Sequence, residues 1–345
     1  MTTSGNASSQ LGFKGTEDLG GGMSASFWFE AQLNNDTGSG SGFNGTNVGS
    51  ISTTPGAAIT SATSTIANSS TANNGGLVFN RRSTIDLAGD FGAIRLGRDY
   101  TPSFWNHTVF DPFGTVGAGA GSNITLLLGI NGLTAARTNN GFSYLYGIAP
   151  NGGSHGLGST GVYAQVTMAP AENLSTAAAG AAGQYTGARV GYANGPLNVA
   201  GSYAESNNQN TALIKYKETN IAGSYDLGVA QLMAHWGTND TSTAAGAKQT
   251  HYGIGAKIPM GSGYIPVSYN SVSVNDATTS GASQFAIGYV YNLSKRSALY
   301  TTYSALSNKN GGKYFFNGGN GGGAPGLPST TGNGTAYDIG LRTSF

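Results

Sequence analysis

The sequence predicts an all-β fold, a transmembrane antiparallel β-barrel. Three observations carry that prediction. Segments of about ten residues alternate between apolar and polar side chains, as a strand with one greasy and one wet face requires. Only 9 % of the residues are charged, against roughly 25 % in ordinary soluble domains. The chain also lacks an apolar run of about eighteen residues, the length a transmembrane helix needs. A closed barrel is then the membrane-spanning solution left, because it satisfies every backbone polar group without water.

The pattern opens over 9–17, with Leu11 and Phe13 on one face and Gln10, Gly12 and Lys14 on the other. After Asp18-Leu19-Gly20-Gly21-Gly22, the next run sets Ala25, Phe27, Phe29, Ala31 and Leu33 against Ser24, Ser26, Trp28, Glu30 and Gln32. The stretch 34–76 is rich in Ser, Thr, Gly and Asn, too polar for a core of its own, and reads as a long extracellular loop. Alternation resumes over 77–88, where Phe79, Ile85 and Leu87 oppose Arg82, Thr84 and Asp86. A short turn at 88–92 leads into 93–100. Further strands are expected at 136–144, 160–169, 184–192, 197–205, 213–226, 229–237, 248–260, 264–274, 283–292 and 297–306. A closing strand puts Tyr337, Ile339, Leu341, Thr343 and Phe345 on one face. Its aromatic end suits a girdle at the membrane interface.

The connections Asn194-Gly195-Pro196, Asp226-Leu227-Gly228, Gly261-Ser262-Gly263 and Asn292-Leu293-Ser294 are tight. Those at 275–282 and the Gly-rich 307–333 are long. Short turns at one end and long loops at the other is the asymmetry of outer-membrane barrels. The count is fifteen strands, whereas bacterial single-chain barrels have even numbers. A first strand is therefore expected to be absent ahead of Met1, as is a signal peptide. Residues 1–345 are expected to form one barrel domain.

One connection stands apart. The segment 101–134, rich in aromatics, Gly and Pro, joins two strand-like runs and carries a single acid in Asp111-Pro112-Phe113-Gly114. Unstructured insertions of this length in a compact architecture are usually functional. Arginines at both ends and a carboxylate between them suggest a loop folded into a polar lumen, facing a basic wall, as the constriction of a pore.

Composition also excludes. A formal charge of +1 argues against nucleic acid, which demands a concentrated basic patch. The absence of cysteine removes disulfides and thiolate metal sites. His107, His155, His235 and His251 lack metal-ligand spacing, so neither metal nor cofactor is expected. The GxGxxG match at 40–45 lies in a polar loop with no helix after it. The GxSxG match at 152–156 has no strand–elbow–helix around it. An enzyme is not expected.

Several stretches then take on a family look. Leu11-Gly12-Phe13-Lys14-Gly15-Thr16-Glu17-Asp18-Leu19-Gly20-Gly21-Gly22, Asn80-Arg81-Arg82, Leu87-Ala88-Gly89-Asp90-Phe91-Gly92, Leu96-Gly97-Arg98-Asp99-Tyr100-Thr101-Pro102 and Gly340-Leu341-Arg342-Thr343-Ser344-Phe345 resemble the Gram-negative trimeric general porins, with the betaproteobacterial branch nearest. The resemblance implies a sixteen-stranded homotrimer in the outer-membrane bilayer, whose third extracellular loop folds inward as an eyelet. By the same resemblance, Arg98 and Arg137 match wall arginines facing that eyelet, and Asp111-Pro112-Phe113-Gly114 matches its acidic motif. Gln10 stands where an arginine is usual, and loop 34–76 is longer than the family loop that latches onto a neighbouring subunit.

Strand parity supports Lys14, Arg82 and Arg137 pointing into the lumen. It favours Arg95 over Arg98, unless a bulge at Gly97 re-aims Arg98 inward. Charged rings at a constriction set ion preference. The plainer alternative makes these bases ordinary lumen residues paired with Asp86, Asp99 and Asp338. The expected function is a water-filled channel for passive diffusion of small hydrophilic solutes and ions, with a weak preference for anions. Two alternatives stand beside it. In a substrate-specific channel for sugars or organic anions, Tyr100, Phe104, Trp105 and Phe110 would form a sliding surface. A secreted β-solenoid adhesin would need a fixed internal repeat, and none is seen.

Overall fold

The computed structural model describes residues 4–35, 38–40, 78–125, 136–150, 158, 160–171, 183–207, 215–241, 248–275, 279–312, 314–316 and 332–345. Most of loop 34–76, the tail of 101–134, much of 307–333, His155 and all of the two glycine motifs but Gly40 lie outside the described residues.

The strands are β1 (Gln10–Gly20), β2 (Met23–Asn34), β3 (Ser39–Gly40), β4 (Arg82–Gly89), β5 (Gly92–Tyr100), β6 (Arg137–Tyr146), β7 (Gly161–Ala169) and β8 (Tyr185–Asn194). They continue as β9 (Leu197–Asn207), β10 (Lys215–Asp226), β11 (Gln231–Thr241), β12 (Lys248–Met260), β13 (Gly263–Val274), β14 (Gly281–Asn292), β15 (Ser297–Lys309) and β16 (Gly334–Thr343). Each pairs antiparallel with its neighbour in sequence, apart from the two-residue β3, which sits beside β2 off the main path. The path therefore holds the fifteen strands expected, with ends displaced by a few residues. Among the described residues, β1 is hydrogen-bonded to β2 alone and β16 to β15 alone. The stretch ahead of β1 reaches back to the far end of the chain. Asn6 Oδ1 accepts from Arg342 Nη1 at 3.0 Å, and Gly5 lies against the Tyr300 ring.

Side chains sort as alternation requires. Ile85, Leu87, Leu96, Phe142, Val190, Ile254 and Leu341 are exposed on the outer face, while Thr84, Asp86, Arg95, Ser143, Gln165, Gln249 and Gln284 are buried on the inner one. A soluble core would show the reverse. The apolar belt meets lipid, where each exposed CH₂ costs nothing, and the polar groups surround a lumen. No described helix is long and apolar enough to cross a membrane.

Two departures matter. The connection from β6 to β7 lies at the tight-turn end, yet it spans 147–160. Its Ile148 is buried beside Leu145 and Tyr163, and the Pro150 carbonyl accepts from Arg82 Nη2 at 3.3 Å and Arg95 Nη2 at 3.0 Å. The clean asymmetry of short turns and long loops is therefore broken once. The second departure is in 101–134, which is not an unstructured insertion. It carries α1 (Pro102–Val109) and the single turn α2 (Ser122–Thr125). Thr101 caps α1, its Oγ1 accepting from Phe104 N at 3.3 Å. Pro102 fills the first helical position, where a missing N–H costs nothing.

The described part of that segment, 101–125, runs inside the barrel. Asn106 Nδ2 donates to Asn220 Oδ1 at 2.7 Å and Ser103 Oγ to Glu218 Oε2 at 2.7 Å, fixing α1 to β10. Across the lumen, Ala118 N donates to Asp338 Oδ2 at 2.6 Å, and Gln284 Nε2 donates to the carbonyls of Ala118 and Ala120 at 3.0 and 3.1 Å. Gln249 Nε2 reaches the Ile124 carbonyl at 3.2 Å. Lumen polar groups from one wall to the opposite one thus satisfy the backbone of the inserted segment, as burial demands.

Candidate pore constriction

Between the inserted segment and the β1–β6 wall lies a cavity of about 330 Å³. Gln10, Glu30, Arg81, Arg82, Asp99, Tyr100 and Arg137 line it from the wall side, and Trp105, Thr108 and 113–116 from the loop. Asn6, Ala7 and Ser8 complete the lining.

The wall is an ordered array of guanidinium groups. Arg81 Nε bonds Glu30 Oε1 at 2.5 Å, and its Nη2 donates to the Tyr100 hydroxyl at 3.2 Å. Gln10 Nε2 donates to the other Glu30 oxygen at 3.2 Å. Arg95 bridges Asp86 at 2.5 Å and Asp99 at 2.6 Å. Arg82 lies over the Trp28 ring at 4.2 Å and 3.7 Å from Asp99. Lys14 Nζ lies 4.9 Å from the same ring. Arg137 sits over the Tyr100 ring at 4.3 Å. Among the described residues neither Arg137 nor Lys14 has a carboxylate within salt-bridge range, unlike Arg81, Arg82 and Arg95. Five bases therefore face three carboxylates on this wall, and the surplus rests on Lys14 and Arg137.

The residues singled out from sequence are not all brought together. Gln10, Arg82, Asp99 and Arg137 line the cavity. Arg95 stands behind it, bridged to the lining Asp99, and Lys14 lies one step further off, against the Trp28 ring on which the lining Arg82 also stacks. Arg98 does not line it. Its Nε donates to the Asn80 carbonyl at 2.6 Å and its Nη1 to the Asn139 side chain. A bulge does exist here, but on the other strand. Pairing runs from Gly97↔Gly141 to Asp99↔Thr138, so the extra residue belongs to β6, where Asn140 has φ 49°. Arg98 keeps the parity of Ile94 and Leu96, and alternation rather than resemblance describes it.

Asp111 is also placed otherwise than expected. It is buried on the back of the loop, accepting from Phe113 N at 2.8 Å and Gly121 N at 2.7 Å. Burial pushes its carboxyl up to about 6, against the pull of those two amides and of Lys257 and His107. It closes a loop turn and does not face the bases across the gap. Sequence reading missed Arg81 and Glu30. Arg81 stands one residue ahead of β4, where strand parity no longer applies, so only its place in the Asn80-Arg81-Arg82 cluster hinted at it.

A barrel of consecutive antiparallel strands, greasy outside, with a capped helix folded into a lumen of ordered arginines, matches known proteins closely. The model of a Gram-negative porin family matches residues 1–311. The chain belongs to that family. It is thus an outer-membrane channel, and not an enzyme. Outer membrane porin protein 32 of Delftia acidovorans is 32 % identical over 315 residues, covering 90 % of this chain and 77 % of that protein. An outer membrane porin protein of Bordetella pertussis is 27 % identical over 343 residues, covering 87 % and 77 %. Among solved structures, an anion-selective porin from Comamonas acidovorans superposes with a TM-score of 0.73 at 30 % identity, over 100 % of this chain and 91 % of that one. Salmonella typhi OmpF, at 15 % identity and a TM-score of 0.57, shares the fold over 100 % and 94 % of the two chains.

Proposed function

We propose that this porin is a homotrimeric, weakly anion-preferring diffusion channel whose narrowest passage is the cavity between 101–125 and the β1–β6 wall. Small hydrophilic solutes and ions cross it without a catalytic step. The observation that carries the reading is the pair of bases with no carboxylate opposite, Arg137 over Tyr100 and Lys14 over Trp28. Low-dielectric walls focus the field of such charges on the aqueous gap. The anion selectivity of the Comamonas relative supports the same sign.

Reversal potential in a planar bilayer under a KCl gradient tests it. A positive wall should pass chloride ahead of potassium, and Arg137→Gln should lower that preference. Strong potassium selectivity in the unmodified protein would overturn the charge reading. A sugar-sliding surface gains no support, because Phe104 and Phe110 are buried. Phe104 and Trp105 also pack on Tyr100, with ring centroids 4.8 and 4.9 Å away.

A further inference from the structure

Behind α1, away from the gap, three imidazoles meet that the sequence keeps far apart. His107 lies on α1, His235 on β11 and His251 on β12. Their ring centroids are separated by 5.2 Å (His107 to His251), 5.7 Å (His235 to His251) and 5.9 Å (His107 to His235). All three are buried, at 5 %, 9 % and 0 % exposure. His107 Nε2, His235 Nε2, both nitrogens of His251 and Glu218 Oε1 make no hydrogen bond. Buried polar atoms without a protein partner call for an explanation, ordered water and a bound ion among them. Here five such atoms fall on four residues from four elements.

The chemistry of the set is specific. Imidazole nitrogens with one carboxylate suit zinc, copper, nickel or iron. Metal–nitrogen bonds of about 2.0–2.1 Å place the centroids of rings sharing one ion roughly 5–6 Å apart, the spacing seen here. His107 Nε2 and Glu218 Oε1 stand 3.6 Å apart. That is too long for a hydrogen bond but near the separation of two ligands on one tetrahedral ion. The other Glu218 oxygen is held by Ser103 Oγ at 2.7 Å, which fixes the carboxylate with one oxygen to spare. Glycines stand opposite both strand histidines. A Cβ at Gly253 would lie 2.3 Å from His235 Cε1, and one at Gly237 would lie 2.7 Å from His251 Cε1. As the side chains stand, no group of three His, Asp or Glu among the described residues could hold a metal ion, so binding requires the rings to turn about χ2, a broad and roughly two-fold torsion.

We propose that His107, His235 and His251, with Glu218, bind one divalent transition-metal ion, and that the ion fastens α1 of the inserted loop to the barrel wall. The test uses the full chain without a histidine tag, refolded in detergent. Zn²⁺ is titrated by equilibrium dialysis, and Co²⁺ by visible absorption. The expected result is saturable binding of one ion per chain, with the d–d bands of a four-coordinate, nitrogen-ligated Co²⁺. His235→Gln and His251→Gln should each weaken binding by about tenfold or more, while His155→Gln should leave it unchanged. Failure of the unmodified protein to bind either ion saturably would overturn the proposal whatever the variants do. Equal binding by the His107→Gln, His235→Gln and His251→Gln triple variant would also overturn it, because the ion would then sit elsewhere.

Discussion

Asp111 shows how one residue can look like a pore charge and act as a loop fastener. Its carboxylate holds two backbone amides, at Phe113 and Gly121, in a buried turn. With its folded pKa raised to about 6 from an unfolded value of about 3.9, the folded form binds more protons than the unfolded one between those values. The contribution of this group to stability is therefore greatest at acid pH and falls as pH rises through about 6. Carboxyl-resolved NMR titration should find a group titrating near that pH and absent in Asp111→Asn. Because Asp111 does not line the gap, the same variant should leave the reversal potential where it was. Arg137→Gln should instead cut the chloride-to-potassium permeability ratio roughly twofold or more, given that local potentials of this kind reach several kT. Arg95 belongs to a different category of lumen charge. It stands between Asp86 and Asp99 with almost no exposure, and Arg95→Ala would leave the buried Asp86 without its ion-pair partner and Asp99 with Arg82 alone, 3.7 Å away. A loss of about 3 kcal/mol or more is expected, read as a lower urea midpoint for the folded barrel.

At the scale of the element, β5 and its neighbours decide where the loop leaves the wall. Gly97 has φ 114°, and a Cβ there would lie 2.1 Å from the Ser83 carbonyl oxygen. Gly97→Ala should therefore cost about 1–3 kcal/mol from backbone conformation alone, before the clash is counted, and lower refolding yield. β4 offers the complementary test of sidedness. Ile85 on its outer face is 61 % exposed, while the adjoining Thr84 is buried inward. Ile85→Lys places an ammonium in lipid and should cost about 2–4 kcal/mol if the residue lies near the bilayer midplane. The measurement is the urea midpoint in lipid vesicles. A negligible effect would mean that this face does not meet hydrocarbon.

Across the whole molecule, the inserted loop works as a strut. Its backbone is hydrogen-bonded to β10, β12, β14 and β16 side chains, so it ties opposite walls together through the lumen. The β6–β7 connection adds a second inward contact through Pro150, where Arg82 and Arg95 converge. The barrel was legible in the sequence because its evidence is local. Leu11 beside Gln10, or Ile85 beside Asp86, already states which face is wet. The tight turns were legible for the same reason, from Gly, Asn, Asp and Ser gathered between strand-like runs. The site was legible only in part. Gln10, Arg82, Asp99 and Arg137 could be picked out by parity and motif, but Arg81 lies outside the alternation, and Arg98 and Asp111 face elsewhere.

The alternation, and through it a barrel with lipid outside and polar groups within, follows from the order of residues alone, since a period of two is set by neighbouring residues and by the solvent each face meets. Which lumen charges neutralise one another, and which are left over, depends on the folded chain. Those contacts join residues such as Ala118 and Asp338, 220 positions apart, or His107 and His251 across the lumen wall. No local pattern encodes such distances. They follow from strand register and from the path the loop takes through the interior, and they fix both the sign of the wall and the cluster behind it.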